Sequence, residues 1–192
     1  ILVDGGSNDK TIDIANSLGA KVLLSEKGRG KQLEKGIQSA KGDLVLILHS
    51  DTMLSDEISS DDFNLEDDYC GGFFKLKYDS RLLPVKLVEI FANIRSFLHS
   101  LPYGDQAIFV KKSIIKKIGG IRDYPFLEDL DLVLRLRKTG RLKGINKNVI
   151  VSARKLTRKS FFYPISHSLK NVFIVLLFLI GFSPNKLIKF YK

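Results

Sequence analysis

Asp43-Leu44-Val45-Leu46-Ile47-Leu48-His49-Ser50-Asp51-Thr52 is the stretch that decides the fold. Leu44 to Leu48 is an unbroken apolar run of strand length, the pattern of a strand covered on both faces, as in a parallel sheet. It stops at His49 to Thr52, small or polar side chains able to ligate a metal or hydrogen-bond a ligand. In open α/β sheets ligands bind beyond the carboxyl ends of the strands, and Asp51 lies just past such an end. The plainer alternative is an Asp that turns the chain after a buried strand.

Upstream, Ile1 to Val3 reads as a strand running into the turn-rich loop Asp4-Gly5-Gly6-Ser7. Ile12, Ile14, Ala15 and Leu18, with Gly19 after them, read as a short helix, and Lys21 to Leu24 as a second strand. This is the unit from which parallel sheets are made. Gly28-Arg29-Gly30-Lys31 then opens a helix to about Ala40. Its glycines allow close backbone approach, and its cations at a helix start can meet a phosphate. The spacing matches neither the P-loop nor the dinucleotide fingerprint, and a surface loop is the competing reading.

Downstream, Ser55 to Asp68 is acidic and aperiodic. Gly71 to Tyr78 alternates as a half-exposed strand. Leu83 to Leu98 carries apolar residues at helical spacing, an amphipathic helix. Gly104-Asp105-Gln106 precedes the apolar strand Ala107 to Val110. Glu128, Asp129 and Asp131 open a helix that runs to about Lys138; carboxylates there complement the helix dipole, yet their number exceeds what capping needs. Leu142 to Ala153 holds one or two short strands. Phe161 to Phe182 is a helix whose continuous apolar run, Val172 to Phe182, falls short of the roughly 20 residues a membrane crossing needs. Burial and contact with a membrane surface, helped by nearby cations, both fit it.

Composition narrows the partners. A length of 192 residues suits one domain with a real core. The 31 Lys and Arg against 21 Asp and Glu give a net charge of +10, which favours polyanionic partners. No aromatic stacking platform or basic recognition helix argues for nucleic acid. The single cysteine, Cys70, excludes an internal disulfide and fits a reducing, cytoplasmic setting; beside Gly71-Gly72 it reads as a packed small hydrophobe. The chain opens at Ile1 inside a strand pattern and without Met, as a fragment lacking its first strand would.

An Asp-Gly-Gly-Ser loop after a strand, a Gly-rich basic helix start, a strand ending in His49-Ser50-Asp51 and a Glu128-Asp129 pair opening a later helix stand in one order. This order resembles the family 2 glycosyltransferases of the GT-A fold. His49-Ser50-Asp51-Thr52 with Gly104-Asp105-Gln106-Ala107-Ile108-Phe109-Val110 is most similar to the radical-SAM/selenodomain-associated subgroup. The resemblance implies an α/β fold with a GT-A-like, mostly parallel sheet flanked by helices, N-terminally truncated. Residues 1–160 would form the transferase domain, and 161–192 a helical segment packed on it or on the inner face of a membrane.

It also implies roles. Asp4, with Gly5 and Ser7, would contact a nucleotide-sugar donor, and Arg29 and Lys31 its diphosphate. Asp51 matches the last carboxylate of the family's Asp-x-Asp motif, which holds a divalent cation, Mn²⁺ or Mg²⁺, against the leaving diphosphate. His49 stands where that motif has its first Asp. Imidazole suits Mn²⁺ better than Mg²⁺, so His49 is either a second ligand or a hydrogen-bonding neighbour. Asp129 would be the general base for an inverting displacement by an acceptor hydroxyl, with Glu128 orienting it. Gly104, Asp105 and Gln106 would line the acceptor side. The competing classes are a nucleotidyltransferase of similar core and a non-catalytic basic binding domain.

Overall fold

The computed structural model describes residues 1–191. Two sheets organise it. Strands β1 (Leu2–Asp4) and β2 (Val22–Leu24) flank helix α1 (Thr11–Ser17) and pair in parallel. Helix α2 (Arg29–Ser39) packs on β1 and leads to β3 (Leu44–Leu46). β3 is the edge of a five-stranded sheet ordered β3-β6-β5-β7-β4, with β4 at Thr52–Leu54, β5 at Tyr69–Tyr78, β6 at Phe109–Lys111 and β7 at Arg141–Val151.

The α/β class stands, but the sheet is mixed rather than mostly parallel. Only β1–β2 and β5–β7 run parallel, whereas β3–β6, β5–β6 and β4–β7 are antiparallel. β3 is an edge strand, with Leu44–Leu46 half-buried and Leu48 exposed, so its apolar run does not mark a strand covered on both faces; the central β5 is buried on both, and burial does not dictate strand direction. Phe73 and Phe74 show this on adjacent positions of β5. Phe73 joins one core layer with Ile37, Ile47, Ile108 and Leu132, and Phe74 joins the opposite layer with Phe109, Ile145 and Val149. β5 is therefore mostly buried, not half exposed. Arg141–Val151 is one long strand rather than one or two short ones. Cys70 packs as a small buried hydrophobe, and burial pushes its thiol pKa up.

Helix α3 (Leu83–His99) lies along β5 and uses polar side chains to do so. Asn93 accepts from the Leu76 amide and donates to the Leu76 carbonyl, both at 2.8 Å. Glu89 accepts from the Tyr78 amide at 2.6 Å. These bonds satisfy backbone beyond the register shift that β5 makes against β7 between Phe74 and Lys75. α4 (Lys112–Lys117) and α5 (Glu128–Leu136) cover the first core layer. After β7 come α6 (Arg154–Thr157), α7 (Tyr163–Leu179) and α8 (Pro184–Tyr191). Ile174 of α7 and Leu187 of α8 close on Phe126, just ahead of α5. The C-terminal segment thus packs on the domain, and among the described residues no helix is long and apolar enough to cross a membrane.

Close strand approach fixes one composition rule. A Cβ on Gly71 would fall well inside van der Waals contact distance of the Phe109 carbonyl oxygen across the sheet. Gly71→Ala should destabilise the protein by about 2 kcal/mol or more, read as a lowered urea midpoint at unchanged slope.

Candidate active site

The apolar run of β3 ends by placing Ile47 under the sheet, its amide donating to the Ile108 carbonyl at 2.8 Å. The chain then turns, with the Thr52 amide bonded to the His49 carbonyl at 3.0 Å, and continues as β4. This turn holds His49 and Asp51 at the carboxyl end of β3. Facing it is the short 3-10 turn Gly104–Gln106, which leads into β6. The amino end of α5 completes the group.

Gly104 joins these parts. Its amide donates to Asp129 Oδ2 at 2.7 Å. A Cβ there would come within 2.5 Å of His49 Nε2 and 3.1 Å of Asp129 Oδ2, so only glycine lets the ring and the carboxylate converge. Asp129 Oδ1 accepts from the Leu130 amide at 2.8 Å. Each oxygen has one backbone donor and keeps lone-pair capacity for another proton. Two non-glycine residues adopt left-handed backbone beside this junction, Ala107 at φ 47° and Leu127 at φ 64°. Such conformations cost about 1 kcal/mol or more each and gather at functional sites.

The electrostatics are those of carboxylates crowded out of water. Burial, helped by the neighbouring Asp129 carboxylate, pushes Glu128 up to about 7. Its two oxygens are fully buried and accept no hydrogen bond, and Arg29 Nη1 stands 3.7 Å from Oε1. Burial raises Asp105 to about 6; Asp129 and Asp51 add to the rise while the Arg95 charge opposes it. His49 moves the other way: burial first, then the Arg29 charge, lowers its pKa against the pull of Asp129 and Asp51. Its imidazole is neutral near pH 7 and has a lone pair to offer. For Asp51 burial is the largest influence and acts upward. The Lys155 hydrogen bond and charge, with His49, outweigh it and leave the pKa lowered.

Arg29, His49, Asp51, Gly104, Asp105, Glu128 and Asp129 lie together in this cluster. Others are placed differently. Asp4 is buried at the end of β1, accepting from the Gly6 and Ser7 amides at 2.7 and 2.9 Å and from Ser7 Oγ at 2.5 Å. These bonds, the Ser7 hydroxyl first, hold its carboxylate below the usual range and shape the Gly5–Ser7 loop. Lys31 points away, pairing with Glu26 and lying 3.9 Å from Asp123. Gln106 is a core strut: its Oε1 accepts from Ser96 Oγ and its Nε2 donates to the Phe74 carbonyl at 3.2 Å. The shallow hollows along α2, lined by residues such as Glu34 and Gln38, do not include Asp51 or Asp129.

Two functional neighbours escaped the sequence reading. Lys155 Nζ donates to Asp51 Oδ2 at 2.9 Å, across 104 positions of chain. Arg95 lies 3.4 Å over the Tyr103 ring and donates to the Leu101 carbonyl at 3.0 Å. Neither sits in a local motif. Arg135 clasps Asp131 and donates to the Ile118 and Gly120 carbonyls at 2.9 and 2.8 Å, fixing α5 in place.

Among the described residues no group of three or more His, Cys, Asp and Glu side chains is arranged to hold a metal alone. The available donors are the Asp51 carboxylate and the neutral His49 imidazole. Asp51 is an oxygen donor of the kind Mg²⁺ and Mn²⁺ take, and the His49 nitrogen suits Mn²⁺ better than Mg²⁺, so the pair could hold such a cation only with further ligands from substrate phosphates and water. Lys155 holds the corresponding cationic place against Asp51.

Comparison with known proteins follows this geometry. Residues 1–60 match the family model described as Glycosyl transferase family 2. Glucosyl-3-phosphoglycerate synthase from Mycobacterium tuberculosis, in complex with phosphoglyceric acid, superposes with a TM-score of 0.56 at 17% identity, over 92% of this chain and 67% of that one. Its complex with Mn²⁺ and UDP-glucose gives 0.55 at 17% identity, over 92% and 66%. A mannosyltransferase from Pyrobaculum calidifontis, in complex with GDP-mannose and Mn²⁺, gives 0.57 at 13% identity, over 95% and 55%. The fold is that of the GT-A glycosyltransferases. The chain spans about two thirds of the synthase and just over half of the mannosyltransferase. No curated protein sequence matches it at a significant level.

Glu128 provides a test of this electrostatic picture. A folded-state pKa near 7, above the ordinary 4.5, means that the folded protein binds the extra proton between those values. Stability is then highest below about pH 4.5 on this account and falls as pH rises toward 7. Glu128→Gln should remove that loss, gaining about 2 kcal/mol on the wild type between pH 5 and 7, measured by urea unfolding.

Proposed function

We propose that the protein is an inverting glycosyltransferase, moving a sugar from a nucleotide-diphosphate donor to an acceptor hydroxyl. The observation that carries this is Asp129, whose carboxylate is held by Gly104 beside His49 at the same strand end as Asp51. The family match over residues 1–60 and the shared fold support a transferase. The pattern His49 to Thr52 with Gly104 to Val110 supports the radical-SAM/selenodomain-associated subgroup.

The chemistry follows from the residues. Arg29, at the amino end of α2, directs its guanidinium toward the cluster and offers the diphosphate a cation and a helix terminus. Lys155 adds a second charge once a phosphate competes with Asp51 for its ammonium. A divalent cation held by Asp51 and His49 would supply further positive charge to the leaving diphosphate. Asp129 takes the proton from the acceptor hydroxyl as the oxygen bonds to the anomeric carbon. The bond from that carbon to the diphosphate breaks, and the nucleoside diphosphate leaves with the electron pair. Glu128, raised to about 7 by burial, carries only part of its negative charge near neutral pH beside the base. The Gly5–Ser7 loop, shaped by the Asp4 carboxylate, forms the nucleotide side in this reading, with Asp105 toward the acceptor.

Asp129→Asn should lower kcat for transfer by at least about a hundredfold while leaving calorimetric donor affinity within a few-fold. Asp51→Asn should instead weaken donor binding in Mn²⁺ and abolish the difference that chelator makes. Full turnover in Asp129→Asn would reject the assignment of the base.

A further inference from the structure

Helices α3 and α7 pack against each other, and each leaves an apolar stripe uncovered. On α3, Leu83, Leu87, Phe91, Ile94 and Leu98 recur at helical spacing and are all exposed, Leu98 at 71%. The opposite side of this helix, with Glu89 and Asn93, is spent on β5. On α7, Leu169, Val172, Phe173, Leu176 and Ile180 are exposed, while Ile174 and Val175 face inward. The amphipathic pattern of α3 is thus turned apolar side out. Uncovered apolar stripes on two helices that touch mark a candidate binding surface.

Charge says what covers it. Of the 31 Lys and Arg, 14 lie after Asp131, where none of the 21 Asp and Glu falls. The first 131 residues therefore carry 17 cations against 21 anions, and the whole positive balance belongs to the C-terminal third. Arg154, Arg158 and Lys159 lead into α7, and Lys186 and Lys189 are exposed on α8, which follows it. Phe161 and Phe162, at the head of α7, are exposed as an edge-to-face pair between the cations and the stripe. Arg135, Arg141, Lys147 and Lys155 are already paired, with Asp131, Asp68, Asp62 and Asp51; a two-fold dimer through this face would oppose the remaining cations ahead of α7, Arg154, Arg158 and Lys159, to their own copies. An anionic lipid surface complements both features at once.

We infer that the α3–α7 face docks on an anionic bilayer, its stripes at the acyl boundary and the basic residues around α7 among the headgroups. The protein lies on the membrane and does not span it. The docking is independent of whether the site transfers sugar, and its test needs no turnover.

Flotation of the full-length protein with phosphatidylcholine vesicles, with or without phosphatidylglycerol, decides it. Binding is expected to the anionic vesicles, weakening as salt is added. The double variant Arg158→Glu, Lys159→Glu should bind at least about tenfold more weakly, and Phe91→Glu, Phe173→Glu should not float. All four positions are exposed, so circular dichroism should be unchanged, and the charge variant keeps the test decisive should the apolar one fail to fold. Equal binding to both vesicle types, or no flotation, would overturn the inference. So would a dimer in light scattering that Phe91→Glu, Phe173→Glu dissociates while vesicles leave the wild type unbound.

Discussion

The hydrogen bond from the Gly104 amide to Asp129 Oδ2, 2.7 Å long, is the joint on which the site depends. It ties the turn before β6 to the first residues of α5, and His49 packs against the same glycine from the end of β3. Three elements distant in sequence are held by one backbone donor and one missing Cβ. Arg135 keeps the far side of α5 in place through Asp131 and the Ile118 and Gly120 carbonyls. The left-handed backbone at Ala107 and Leu127 lies beside the two ends of this joint.

Such convergence gathers carboxylates that repel one another. The structure meets this in two ways. Burial raises Glu128 to about 7 and Asp105 to about 6, so Glu128 carries only part of its charge near neutral pH and Asp105 takes up a proton only as the pH falls to about 6. Around Asp51 and Asp129, cations offset the charge: Lys155 bonds Asp51 directly, and Arg29 and Arg95 stand near the others. A free site already balanced by Lys155 and Arg29 is suited to a doubly anionic diphosphate arriving with its own cation, since that exchange keeps the local charge nearly constant.

The strand end at Leu44–Leu48, the residues just past it and the Glu128-Asp129 helix start were legible because each is a local pattern with a positional meaning. The direction of the strands was not, because Phe73 and Phe74 are buried on opposite faces whichever way the neighbours run. Lys155 was hidden by its 104-residue separation from Asp51. Gln106 read as an acceptor contact, yet its amide is consumed by Ser96 and Phe74. Lys31 read as a phosphate ligand, and it pairs with Glu26. The periodicity of α3 announced an amphipathic helix without saying which side met the domain: Asn93 and Glu89 satisfy β5 backbone, and that demand turns the apolar side out.

The central claim is that a diphosphate and its cation bind at the junction of β3, the Gly104 turn and α5. Paramagnetic broadening of backbone amide resonances by Mn²⁺, in the presence of a nucleoside diphosphate, tests it most directly. The account predicts loss of signal centred on residues 49–51, 104–105, 128–129 and 155, reversed when Mg²⁺ replaces Mn²⁺. Broadening centred elsewhere, or the same broadening with and without the nucleotide, would contradict it.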